Sequence, residues 1–142
     1  MTEPRRHGAQ VLAVIAIGGV LGAAGRYGIG LALPTPASGF PWGTFIVNTT
    51  GCLLIGILMV FIVDAGSAHR LARPFVGVGI LGGYTTFSTY TVEAQSLLAS
   101  GHPELAFGYL FGTAAAALAA VAIGVTATRA LALPPDRRGG PR

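Results

Sequence analysis

Residues 79–93, GILGGYTTFSTYTVE, start as an apolar helical pattern, stop at Gly82-Gly83 and resume as a hydroxyl-rich helix. They lie in a chain of 142 residues that is 52% hydrophobic and 10% charged, against about 25% charged in an ordinary soluble domain. That is the composition of a membrane protein. In a bilayer, backbone released from helical hydrogen bonding survives only where protein or a water-filled cavity satisfies it, so an interrupted apolar segment marks an ion or substrate site.

The remaining composition narrows the reading. All nine basic residues are Arg, the net charge is +4, and the arginines cluster in a few short tracts without interleaved aromatics. Such tracts fit membrane orientation and exclude a nucleic-acid surface. Cys52 is alone in an apolar run and reads as a small packed hydrophobe. His7, His69 and His102 are too far apart for metal-ligand spacing. The length allows one domain, and the pattern is all-α.

Four spans follow in order, at about 9–33, 43–63, 74–99 and 105–128, as one channel-sized unit over 1–133 with a flexible basic tail at 134–142. Arg5 and Arg6 ahead of an apolar stretch also describe a cleavable leader. A retained helix is the better reading, since cleavage would discard the small-residue pattern of Gly18, Gly22 and Gly25, which lets another helix approach closely. Arg26 lies in the same span, where a guanidinium either snorkels to the interface or faces a wet cavity. Residues 33–42, with three prolines and Trp42, form a connection at the interface.

In the second span Thr44 and Asn48 share a face, and the Asn48 amide needs partners: another helix or an anion. The third span is expected in two halves. Its first half ends at Gly82-Gly83 with free carbonyls suited to a cation. Thr85 or Thr86 then caps a second half that carries Phe87, Ser88, Tyr90 and Glu93. The rings of Phe87 and Tyr90 share a face and present electropositive edges, although core packing is the commoner reason for such a pair. Glu93, an acid in a membrane segment, is a candidate by default, and Ser88 is a lesser one. In the fourth span Gly108 and Gly112 repeat the small-residue spacing, while Tyr109 and Thr113 place two hydroxyls on one face.

Three motifs, GGVLGAAGRY at 18–27, GTFIVNTTGCLLIG at 43–56 and GILGGYTTFSTYTVE at 79–93, together resemble the CrcB/Fluc family of fluoride channels. The resemblance covers all four spans. It implies a non-enzymatic, four-span subunit with a broken third helix, paired antiparallel with a second subunit in a dual-topology-type dimer with two fluoride pathways. It also implies a structural sodium ion held by the main-chain carbonyls of Gly82 and Thr85. By motif position Asn48 is the pore amide, Phe87 the first ring of a paired aromatic box and Arg26 the first-helix arginine. Thr44, Tyr109 and Thr113 match hydroxyls beside the pathway. Tyr90 stands where the family usually has a second Phe, and Ala117 where a serine often continues the hydroxyl track.

Fluoride is small and strongly hydrated, so a pathway must set donors and electropositive edges close together. The expected action is passive fluoride efflux across the plasma membrane. A small multidrug-type cation/proton exporter is the rival, but it needs an acid in the first span, which instead holds Arg26. An inert assembly subunit would leave the break unexplained. The N-terminus, the connection at 64–73 and the C-terminus hold Arg5, Arg6, Arg70, Arg73, Arg129, Arg137, Arg138 and Arg142, and the opposite connections hold no arginine. This bias predicts both termini in the cytoplasm and an oppositely oriented paralogue as partner, with a homodimer as the alternative.

Overall fold

The computed structural model describes residues 3–36, 38–64 and 70–132. The tail expected at 134–142 and part of the connection expected at 64–73 lie outside them. The described residues are helical without strands: α1 (Glu3–Ala32), α2 (Trp42–Met59) with a wider π-wound continuation (Val60–Asp64), a π-wound segment (Arg73–Leu81) running into a short α3 (Gly82–Tyr84), then α4 (Ser88–Ala99) and α5 (Pro103–Ala132). Within these, the stretches Gly8–Ala32, Trp42–Ile62 and Pro103–Ala132 are long and apolar enough to cross a membrane. The remaining expected span, the third, is the divided one. Together these features describe a multi-pass membrane protein.

Local chemistry sets the helix ends. Pro74 and Pro103 sit in first turns, where the missing N–H is no loss. Between α4 and α5, Gly101 adopts φ +79, its N–H bonds Leu98 O at 3.1 Å, and His102 N–H bonds Leu97 O at 3.0 Å. This closing motif needs a left-handed residue, and glycine takes that conformation without a Cβ clash.

Glycine also decides the packing. The backbone of α1 lies directly on the first half of the divided span: a Cβ on Gly18 would stand 2.5 Å from Phe75 O, one on Gly79 would stand 2.9 Å from Gly18 Cα, and Cβ atoms on Gly22 and Gly83 would overlap Ile80 O and Gly19 O. α2 meets α5 the same way, where a Cβ on Gly124 would lie 2.5 Å from Leu53 O and one on Gly56 would lie 2.6 Å from Val121 O. Close backbone approach is what holds helices together in lipid. Gly108 and Gly112, expected to serve this purpose on α5, have nothing within 4 Å. The seam of α5 runs through Gly124 instead, because α2 crosses nearer that end.

α4 packs on α5 through Ala94, Leu97, Ala106 and Tyr109, of which Ala106 and Tyr109 are 0% exposed. Large apolar side chains cover the outside, Phe111 and Leu118 among them. Lipid or another subunit must cover such a surface.

The break falls later than the glycines suggest. Gly82, Gly83 and Tyr84 stay helical, and the chain turns extended at Thr85, with φ −75 and ψ 157. Gly83 allows the close approach of α1, and at the interruption Arg26 of α1 and Asn48 of α2 bond the freed backbone.

Candidate functional site

Several backbone groups around the break have lost or changed their helical partners. Thr85 still donates its N–H to Leu81 O at 3.0 Å, and its hydroxyl folds back to the same carbonyl at 3.0 Å. Thr86 N–H, which an unbroken helix would give to Gly82 O, goes to Asn48 Oδ1 at 2.8 Å. Thr89 N–H, which would go to Thr85 O, goes to Thr86 Oγ1 at 3.1 Å. Thr86 is therefore the hydroxyl that caps α4.

Two side chains meet the carbonyls in between. Arg26 Nε of α1 donates to Gly83 O at 3.2 Å, and Asn48 Nδ2 of α2 donates to Thr86 O at 2.9 Å. The Asn48 amide thus pairs with both backbone groups of Thr86 in the manner of a strand neighbour. It spends its carbonyl and one N–H and keeps one N–H. Gly82 and Thr85 O are left without the helical donors that their positions would supply.

Thr86 lines two cavities, and Asn48 lines the larger of them. The larger, of about 420 Å³, is lined by Asn48, Gly82, Thr85, Phe87, Tyr90 and Thr113 among others. Phe87 is 76% exposed, and its ring lies 5.8 Å from that of Tyr90. Tyr90 turns its hydroxyl away to the Leu110 carbonyl. Thr113 is buried, and its hydroxyl lacks a hydrogen-bond partner among the described residues. A buried hydroxyl left this way is costly by roughly 1–3 kcal/mol unless water or a ligand meets it.

The smaller cavity, of about 240 Å³, is lined by Arg26, Thr35, Thr44, Thr86, Thr89 and Glu93 among others. Glu93 accepts the Tyr109 hydroxyl at 2.8 Å on Oε2 and the Thr35 hydroxyl at 3.2 Å on Oε1. Tyr109 is clamped between rings, 5.1 Å from Tyr90 and 5.3 Å from Phe40. Arg26 and Glu93 give the cavity one cationic and one anionic wall.

The expected site residues therefore divide. Asn48, Phe87, Tyr90, Thr113, Gly82 and Thr85 surround the larger cavity, whereas Arg26, Thr44 and Glu93 line the smaller one. Tyr109 reaches the smaller one through Glu93. Ser88 is exposed beside the break, with its hydroxyl 3.4 Å from that of Thr86. Cys52 also lines the larger cavity. Among the described residues no three His, Cys, Asp or Glu side chains gather to hold a metal.

Sequence reasoning missed Thr86 as the residue that both cavities share, and it missed Thr35. It also missed Tyr84, whose hydroxyl lies 2.9 Å from Thr50 Oγ1 and whose ring stands close enough to meet a Cβ on Gly51 at 3.4 Å. For Thr86 the signal was the TTFST stretch, four hydroxyls around Phe87, which does not say which hydroxyl bonds where.

The model of the CrcB-like protein, Camphor Resistance (CrcB) family matches residues 13–125. Among similar proteins, fluoride-specific ion channel FluC 1 of Streptomyces coelicolor is 54% identical over 121 residues, 85% of this chain and 79% of its own length. FluC 2 of Nocardia farcinica is 55% identical over 119 residues, 84% of this chain and 85% of its own length. FluC of Paracoccus denitrificans is 40% identical over 117 residues, 82% of this chain and 93% of its own length. With a family match through all the membrane helices and relatives this similar along most of their length, the chain belongs to the CrcB-like family.

Proposed function

We propose that the chain is a subunit of a fluoride-specific ion channel that lets fluoride leave the cytoplasm passively, and that it is not an enzyme. The observation that carries this reading is the Asn48–Thr86 pair, with Thr86 on the wall of two cavities: one also lined by Asn48, Phe87 and a Thr113 hydroxyl without a partner among the described residues, the other lined by Arg26. A small anion needs N–H and O–H donors in place of water. The second Asn48 N–H, the Thr113 hydroxyl and the ring edges of Phe87 and Tyr90 can supply them. Thr44, Tyr109 and the Arg26 charge belong to the approach on the other side.

The larger cavity is open to the outside of a single subunit, so a second, antiparallel copy or paralogue would complete the pathway. The carbonyls of Gly82 and Thr85 fit a hard monovalent cation: their helical donors are redirected, and carbonyl oxygen is the donor that such an ion prefers. A sodium ion there would be structural. Its positive charge would offset anion desolvation.

Orientation belongs to the same reading. The Arg bias supports both termini lying on the cytoplasmic side of the plasma membrane and an oppositely oriented paralogue as partner, with a homodimer as the alternative. Labelling of single cysteines introduced into the connections tests this, since equal labelling from both membrane faces would overturn fixed orientation. The function itself is tested by purified protein in liposomes. Fluoride efflux with exclusion of chloride supports it, whereas proton-coupled export of an organic cation would establish the exporter instead.

A further inference from the structure

We infer that Asn48 is a positioning residue for the cation site as well as a donor on the fluoride pathway, and that it acts through Thr86. This rests on the reading of the Gly82 and Thr85 carbonyls as a cation site. In an uninterrupted helix the Thr86 N–H would bind Gly82 O and the Thr89 N–H would bind Thr85 O. Asn48 Oδ1 takes the first at 2.8 Å, and Thr86 Oγ1 takes the second at 3.1 Å. Asn48 Nδ2 also holds Thr86 O at 2.9 Å, so the peptide groups on either side of Thr86 are both held while Thr85 is extended at ψ 157. One side chain on α2 and one hydroxyl at the break therefore keep both carbonyls clear of helical donors.

The surroundings support a built device. Thr86 is 9% exposed, so without Asn48 its N–H and carbonyl would be left with little access to water. The cheapest repair would be to close the helix, returning Thr86 N–H to Gly82 O. That repair would remove a cation ligand without touching it. The pathway and the cation site thus share one amide, and damage to Asn48 should be felt at both.

The test is the sodium dependence of thermal unfolding of the purified protein, with N-methylglucamine replacing sodium at constant ionic strength. Asn48→Ala should move the dependence to at least about tenfold higher sodium. Thr86→Ala, which frees the Thr89 N–H for Thr85 O, should move it in the same direction, and Thr86→Ser should restore it. The Thr86 pair decides the matter if Asn48→Ala fails to fold. Loss of flux in Asn48→Ala with an unchanged sodium dependence would overturn the inference and leave Asn48 as a pathway donor only, as would Thr86→Ala behaving like wild type. No sodium dependence in the wild-type protein would instead bring down the cation site itself, and this inference with it.

Discussion

Arg26 and Gly83, 57 positions apart, are joined by a hydrogen bond of 3.2 Å from the guanidinium Nε to the main-chain carbonyl. The bond ties α1 to the end of the divided span's first half, where the helix dipole concentrates negative charge. A cation there completes the helix as a capping group would, and it also makes one wall of the smaller cavity.

Arg26→Ala is therefore expected to destabilise the protein by about 1.5–3 kcal/mol, the range for a charged hydrogen bond, and to lower fluoride flux. Arg26→Lys keeps the charge but loses the planar fork, so it should recover flux only in part. Thermal unfolding and liposome efflux on the same preparations check both. Full flux in Arg26→Ala would mean that the charge serves stability alone.

Asn48→Asp should abolish flux. A carboxylate can still accept the Thr86 N–H, but it cannot donate to Thr86 O or to an anion, and as a charged group it repels fluoride. Undiminished efflux would remove Asn48 from the pathway.

Phe87→Ile should lower flux sharply while the purified protein keeps its assembly state on size exclusion. The ring is 76% exposed and packs little within the subunit, so its loss should leave folding nearly unchanged. Normal conduction by the Ile variant would show that the ring's electropositive edge has no part in conduction.

Glycine substitutions should separate the seams from the open faces. Gly124→Val would press into the Leu53 carbonyl and should reduce the yield of folded protein, because overpacking costs about 1–3 kcal/mol even where the backbone can yield. Gly112→Ala meets nothing within 4 Å and should leave the subunit's folding intact. A Cβ on Gly82 has only Gly77 O, at 4.0 Å, nearby. Gly82→Val should accordingly spare the subunit and lose assembly or activity, and a fully active variant would count against the cation site.

Much of this was legible beforehand because the bilayer leaves few options. Apolar length marked the helices but not their ends, since α1 begins at Glu3 where a start near 9 was expected, and the third span's interruption was visible in its composition. The sequence does not reveal which carbonyls lie free, since that depends on Asn48 reaching across 38 positions to Thr86. For the same reason Gly82-Gly83 looked like the break, whereas Gly83 serves the contact with Gly19 and the chain opens at Thr85. Local spacing records what a residue can do, and tertiary neighbours decide which of those things it does. Gly108 and Gly112 carry the packing spacing, yet a Cβ on either would meet no other described part of the subunit within 4 Å.

The contacts of Gly18 with Gly79 and of Gly19 with Gly83 have one further consequence, which is entropic. Glycine has no rotamers, so these four positions lose no side-chain freedom when the two helices meet. Acyl chains are as apolar as leucine, and apolar surface therefore gains almost nothing by leaving them. A seam that freezes no side chains at its closest points can be held by dispersion forces between backbones, in a solvent where a seam of leucines would have little advantage over lipid.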